Sequence, residues 1–594
     1  MRGTDFSGVN NAGCFYSDRK EYDLMTETRL YHGQAGIMTG ALLCLALLYL
    51  PWGWLLHTGI SVPEHVGWAL AGLLMLLAAC LQDVRLYRAW PLWAGGILLT
   101  LPLLWMPAGA DTWAALTRTG SLWTGGLLLC WMAARTVTEW QMTLLLRMVV
   151  LVGVVCALSV FLRVYWPAGF QRWHPLAGGG WAPGGALQPD LMATFLAVAV
   201  SAALHFWLFR ARLVTLALLA GLMFALTLCR SMPGIIGVIV VFVVMLFACA
   251  RSLRGRFLVA GGVLVVAATG AWYAQTGGRT DVAFLTLPVS WLLLAPVARA
   301  CLALLMAHPL TGVGYGRFEG ALPDGLNLSG GMAAFHPHYV VSHPGNELLY
   351  WSVEGGIVAI AGLLLLLFWA GRVLARLWRQ AGLVGGYGLV GSDALSGLLC
   401  ALPVLLFTLG GTPWYQSPLH FLLSMLLLGG AIARVSGGSP VSVCALRGGA
   451  AVLPRILMVA LGAGLVWFAV TGTLVVAGLQ QARQSSGRDI TALERAVRFN
   501  PWYMTDPVHF ALTVHQLQQF GQTGNVAVLA GTEPFFRDYL TRHPDPNVYG
   551  MYITVLDKQG KSDDAERVYQ QGQHRVPWDA RFTPDAVVSG SSQH

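Results

Sequence analysis

Residues 335–371 read FHPHYVVSHPGNELLYWSVEGGIVAIAGLLLLLFWAG. A polar run crowded with histidines passes, near Gly355 and Gly356, into an apolar segment of membrane grade. Crossing the hydrocarbon core takes about 20 apolar residues, and the stretch 348–370 is long enough. Two questions follow: what fold carries such a helix, and why do His336, His338 and His343 gather at its mouth with Asn346, Glu347 and Glu354 in its opening turns?

The whole chain agrees with a membrane reading. Of 594 residues, 56% are hydrophobic and only 11% charged, where a soluble domain carries about a quarter charged. Apolar segments recur near 36–56, 66–81, 91–106, 120–134, 142–161, 189–208, 213–229, 232–250, 257–274, 348–370, 394–410, 419–433 and 453–476. The expected fold class is all-α: a polytopic transmembrane helical bundle of about 13 spans. The segment 284–307 is apolar too, but Pro288, Pro296 and Arg299 interrupt it, so it reads as a re-entrant or interfacial helix. The first apolar stretch is long enough to stay in the bilayer, as an anchor rather than a cleaved signal. The ten cysteines are scattered, mostly within apolar runs, and suggest neither a disulfide framework nor a zinc site.

Basic residues set the orientation. With residues 1–35 in the cytoplasm, the inner turns collect Arg85, Arg88, Arg135, Arg210, Arg212, Arg251, Arg254, Arg256, Arg372, Arg376, Arg379, Arg434, Arg447 and Arg455. The opposite side carries fewer: Arg118, Arg163, Arg172, Arg230, Arg279, Arg299 and Arg317. Much of the net charge of +9 is therefore topogenic, and no nucleic-acid partner is needed to explain it. An odd number of spans leaves the C-terminus outside. The membrane domain is then 36–476, with a large outer loop at 275–347, and residues 477–594 have the composition of a soluble domain. Within that tail, NVYGMYITVLDKQGKSDDAERVYQQGQHRVPWD (547–579) is similar to one tetratricopeptide unit, and ALERAVRFNPW (492–502) to the second half of another. The plainer alternative is a small helical domain without repeat function.

The outer loop concentrates proton-handling chemistry, with histidines at 308, 336, 338 and 343. Arginine offers a planar fork of donors suited to phosphate oxygens. Arg230, in LCRSMPG, sits at the end of an apolar segment, where charges tend to mark substrate paths; the bland reading is an interfacial stub. Pro344 suits the first turn of a helix, which puts His343 at its start and Glu347 one turn on along the same face, able to orient the imidazole. Glu354 falls two turns beyond Glu347, about 10 Å deeper, as a buried architectural carboxylate tied to an arginine or to backbone. Gly355 and Gly356 permit another helix to approach. The alternative for the whole cluster is that these polar residues merely cap a membrane helix. The GVGYG at 312–316 lacks the strand–turn–helix context of a nucleotide loop and reads as a tight backbone bend.

MAHPLTGVGYGRFEG (306–320) followed by SHPGNELLYWSVEGG (342–356) resembles the paired loop motifs of the O-antigen ligase and polymerase superfamily. The resemblance covers roughly residues 210–430. With its helical tail the chain looks most like the bacterial protein O-oligosaccharyltransferases, which include pilin-glycosylating enzymes. The resemblance implies an inner-membrane enzyme with a cytoplasmic N-terminus and a periplasmic tail. It would transfer a glycan, without metal or other cofactor, from undecaprenyl pyrophosphate to serine or threonine of an exported protein.

Residue by residue, the resemblance implies pyrophosphate binding by Arg230 and Arg299, with Arg279 in reserve, and acceptor activation by a loop histidine. The family places that histidine directly before the asparagine. Here Gly345 precedes Asn346, so the role passes to His343, with His338 and His336 as alternatives and Glu347 assisting. His308, Gly312, Gly314, Gly316, Asn346 and Glu354 are motif or structural positions. Two other readings remain. Within the same class, the acceptor is instead lipid A-core or a growing glycan. Outside it, the chain is a transporter or flippase for a lipid-linked solute, which would be expected to show internal repeats and broken mid-membrane helices.

Overall fold

The computed structural model describes residues 62–582 apart from 81–83, 108–109, 136, 167, 169–188, 210–212, 230–231, 250–260, 263–288, 333–340, 384–388, 410–417, 437–442, 447, 485–489 and 500–504. Its order is α1 (Val62–Cys80), β1 (Val84–Tyr87), α2 (Trp90–Thr100), α3 (Thr112–Ala133), α4 (Glu139–Tyr165), α5 (Pro189–Phe209), α6 (Leu213–Leu228), α7 (Met232–Cys249), α8 (Val289–Ala307), α9 (Phe318–Leu328) and α10 (Glu347–Leu383). Then come α11 (Leu389–Phe407), α12 (Pro418–Ser436), β2 (Val443–Leu446), α13 (Val452–Gln484), α14 (Thr491–Phe499), α15 (Thr505–Thr523), α16 (Ala527–Ala530), α17 (Glu533–Arg542), α18 (Pro546–Lys558) and α19 (Ser562–Arg575). Among the described residues the regular structure is helical apart from one antiparallel ribbon, β1 with β2, which pairs Val84 with Leu446 and Tyr87 with Val443.

Four of the described helices are long and apolar enough to cross a membrane, at Glu139–Leu162, Leu191–Leu208, Glu347–Arg376 and Val452–Leu479. Shorter apolar helices include Gly67–Leu77, Trp90–Trp105, Leu213–Leu228, Gly234–Met245, Ala394–Phe407 and His420–Val435. The expected count of about 13 is therefore not reached among the described residues. The stretches 36–56 and 257–274 lie mainly outside them, and the 91–106 segment tightens into a 3-10 turn at Leu101–Trp105 around Pro102.

Helix α5 runs through the centre of the bundle, with 83% of its apolar window buried, against 22% for the long window of α10 and 28% for that of α13. Its Ala-rich middle lets α4, α6, α7 and α11 close around it. Two histidines buried in the bundle find partners on neighbouring helices: His205 Nδ1 meets Ser396 Oγ at 2.6 Å, and His420 Nε2 meets Leu191 O at 2.8 Å. Two glycine crossings bring other helices to backbone contact. A Cβ on Gly72 of α1 would sit 2.6 Å from Gly462 O of α13, and one on Gly95 of α2 would sit 2.9 Å from Gly362 O of α10.

Helix α8 continues through Pro296 and packs with α9 and α10 around Val297, Cys301, Leu304, Phe318, Leu322 and Val353. Helix α13 shows no break at 477 but runs on to Gln484. Its end packs against α14 through Val475, Leu479 and Leu493; residues 500–502 of the 492–502 stretch lie outside the described residues. Helices α18 and α19 do form a helix–turn–helix, turning at Gly560 (φ 76°) and buried around Tyr549, Tyr552, Leu556, Ala565 and Val568.

Candidate functional site

The two motif stretches interlock at a break in α10. Gly356 has φ 60° and ψ −152° in the middle of that helix, a conformation open to glycine because it has no Cβ. The break turns carbonyls of the preceding turn out of the helical ladder, and buried carbonyls need partners. The 308–317 loop supplies them: Val313 N–H donates to Val353 O at 2.9 Å and Gly314 N–H to Glu354 O at 3.0 Å, while Ile357 N–H returns a bond to Pro309 O at 2.9 Å. The approach leaves no room for side chains. A Cβ on Gly312 (φ 66°) would lie 2.4 Å from Val353 O, and one on Gly356 would lie 2.5 Å from Leu310 O. Gly314 and Gly316 close in the same way on Pro107 and Asp111 O, the latter bonded through Asp111 N–H to Gly316 O at 2.9 Å. The neighbour that Gly356 admits is thus the motif loop, not the second helix expected.

Glu354 is the centre of this knot. It is fully buried; one carboxylate oxygen pairs with the Arg118 guanidinium, and the other accepts from Phe318 N–H at 3.0 Å. Arg118 is enclosed by Tyr350, Trp351 and Tyr315, whose ring centroids lie 4.2, 4.5 and 4.6 Å from its guanidinium carbon. Each face adds cation–π attraction of about 0.5–2 kcal/mol. Tyr315 donates from its hydroxyl to Leu99 O at 2.6 Å, tying the cage to α2.

Arg118 was expected in an outer loop ahead of a span starting at 120. Instead α3 begins at Thr112, where the Asp111 side chain accepts from Ala114 N–H at 3.0 Å, and Arg118 stands in its second turn. A lone charge among the mostly apolar residues of 112–133 is itself a signal, open to view in the sequence. The cage aromatics carried no such mark.

The start of α10 also differs from expectation. The helix begins at Glu347, and Asn346 caps it: its Oδ1 accepts from Leu349 N–H at 3.1 Å and its Nδ2 donates to Leu409 O at 3.0 Å. Gly345, at φ 70°, turns the chain just before. His343 and Pro344 therefore lie in a turn outside the helix and do not share its face with Glu347. Glu347 is buried, its N–H bonded to Thr408 O at 3.0 Å.

The His343 ring is partly exposed, yet it is crowded enough that desolvation pushes its pKa down to about 4. Its Nδ1 accepts from Gly345 N–H at 3.2 Å. A neutral imidazole with Nδ1 occupied as acceptor carries its proton on Nε2 and can donate from there.

The remaining expected residues are dispersed. His308 is exposed, and its N–H closes α8 by donating to Leu304 O at 2.9 Å. Arg299 is exposed on α8, with Nε turned back to Ala295 O at 3.4 Å. Arg230, Arg279, His336 and His338 lie outside the described residues. Among the described residues no cluster of histidine, cysteine and carboxylates has the makings of a metal site. No family model matches the chain, and no curated protein matches it significantly.

Proposed function

We propose that this chain is a polytopic membrane glycosyltransferase of about 13 spans that moves a preassembled glycan from undecaprenyl pyrophosphate to a hydroxyl of an exported protein. The transfer takes place on the periplasmic side of a bacterial inner membrane. One observation carries the reading: motif stretches 306–320 and 342–356 fold into a single unit through the Val313–Val353, Gly314–Glu354 and Phe318–Glu354 bonds. Two weak signatures that meet in space are better support than either alone.

In the reaction, the bond between the sugar and the diphosphate breaks, and the acceptor oxygen bonds the freed sugar carbon. Charge gathers on the departing diphosphate, where arginines Arg230, Arg299 and Arg279 are the candidates to meet it. The hydroxyl proton passes to a base. For His343 to take it at Nε2, its own proton must sit on Nδ1. The 3.2 Å bond from Gly345 N–H must then open during the cycle. The protein acceptor is favoured over lipid A-core by the seating of the tail on α9, which begins inside the first motif (His543 to Glu319, 2.7 Å).

The test is transfer by the purified chain from a lipid-linked glycan to a pilin-like acceptor, without nucleotide or ion gradient. Wild type is expected to form a covalent glycoprotein; His343→Ala should not, while His336→Ala and His338→Ala retain activity. A wild-type protein that moves lipid-linked glycan across vesicles but leaves no covalent product refutes the transferase. Full activity in all three variants refutes the histidine scheme.

A further inference from the structure

We propose that the C-terminal helices clamp the candidate site through the first turn of α9, with His543 as the positioning residue that bridges Glu319 of that turn to Asp506 of α15. Its geometry stands alone; only its consequence for turnover rests on the transferase reading.

Phe318 and Glu319 are consecutive residues that serve two different parts of the molecule. Phe318 N–H donates to buried Glu354 at 3.0 Å. The Glu319 carboxylate meets His543 Nδ1 at 2.7 Å, and the second ring nitrogen of His543 meets Asp506 Oδ2, also at 2.7 Å. An imidazole that serves a carboxylate on each nitrogen donates from both and is cationic. The contact is tight as well as charged. A Cβ on Gly320 would lie 2.7 Å from Thr541 O, and Trp578, beyond α19, packs on the core shared by α8, α9 and α10. The tail therefore sits on the short helix whose N-terminus holds the Glu354–Arg118 pair.

Two carboxylates outnumber the one other cation at the bridge, Arg542, which shares Asp506 with His543. Glu319 faces it from α9 and Asp506 from α15. On α17, Arg542 pairs with Asp506 at 2.6 Å and Asp538 at 2.8 Å, and the Tyr539 ring stands 4.6 Å from the imidazole. Asp545 lies at the cap of α18. Hydrogen bonds to Asp506 and Glu319 outweigh desolvation and lift the His543 pKa to about 10. His543 touches no reacting atom. It acts through Glu319, the adjacent Phe318 amide and Glu354.

The experiment compares the full-length wild type, His543→Ala and His543→Arg in lipid nanodiscs at neutral pH; the arginine keeps a cation able to reach two carboxylates. Amide hydrogen exchange is read on peptides covering 313–328, with 142–161 as internal control. His543→Ala should speed exchange at 313–328 by about tenfold or more, as a released local unit, leave 142–161 unchanged, and His543→Arg should restore protection. Unchanged exchange at 313–328 in His543→Ala overturns the clamp. In the transfer assay, His543→Ala should lower kcat by about tenfold or more with KM within about twofold, and His543→Arg should recover it. Its rate should also lack the alkaline decline near pH 10 of the wild type. Faster exchange with kcat unchanged overturns the positioning role. If exchange behaves as expected but the wild type transfers no glycan, the clamp stands and the transferase reading falls.

Discussion

Removing Glu354 should cost far more than removing Arg118, although they form one ion pair. Both are buried, at 0% and 1% exposure. Glu354→Ala strands a guanidinium that cannot shed its charge and deprives Phe318 N–H of its acceptor. Breaking a buried pair costs about 3–5 kcal/mol and an orphaned buried amide about 1–3; allowing for overlap, the loss is about 4–6 kcal/mol. Arg118→Met leaves a carboxyl that can take up a proton and go on accepting from Phe318. The methionine lies against Tyr315, Tyr350 and Trp351, where sulfur–aromatic contact replaces part of the cation–π energy. That variant should lose about 2–3 kcal/mol. The double variant Arg118→Met/Glu354→Ala should fall short of the summed single losses by about 2 kcal/mol, the mark of direct coupling. Unfolding by sodium dodecyl sulfate in mixed micelles, followed by tryptophan fluorescence, measures the series. Arg118→Met proving the more damaging change, or Glu354→Ala within about 1 kcal/mol of wild type, would refute this account of the knot.

Gly356→Ala forces a Cβ at φ 60° to within 2.5 Å of Leu310 O and should destabilise by about 2–6 kcal/mol. In the same assay Gly371→Ala, in the same helix with nothing within 4 Å, should stabilise by up to about 1 kcal/mol. Asn346→Ala removes both the cap of α10 and the tie to Leu409; it should lower the melting temperature, by a loss of about 1–3 kcal/mol. The His543 pKa is raised in the fold from 6.5 to about 10. Its stabilisation is therefore complete below about pH 6.5 and is lost as pH climbs from there through about 10. Limited proteolysis of the 505–582 region across that window should quicken with pH, and His543→Ala should flatten the response. A wild-type profile flat from pH 6.5 to 10 would contradict the bridge.

The helical, membrane-grade character of the chain was legible because apolar runs and sparse charge report directly on solvent. The two motif stretches were legible too, but their contact was not. It depends on Gly356 leaving the helix, and GIVAIAG reads as unbroken helix because glycine is tolerated there as well as at a break. Asn346 is legible as a motif position, but the proline rule points to a helix start at Pro344, whereas Asn346 caps it after the left-handed Gly345. Arg118 was assigned to a loop since the apolar count began at 120; the cap at Asp111 would have drawn it inside. Glu319 and His543 lie too far apart in the chain for any local pattern to join them. The ribbon of VRLY with VCAL escaped for the same reason.

The pairing of α1 with α13 through Gly72 and Gly462, reinforced by the ribbon between β1 and β2, joins the first and last long helices of the described bundle. During synthesis, α1 emerges long before its mate exists, and its glycine groove stays uncovered until the ribosome has delivered residue 462. A product truncated ahead of that point can bury the α5 centre yet never seal its seam. The uncovered groove then distinguishes unfinished chains from finished ones.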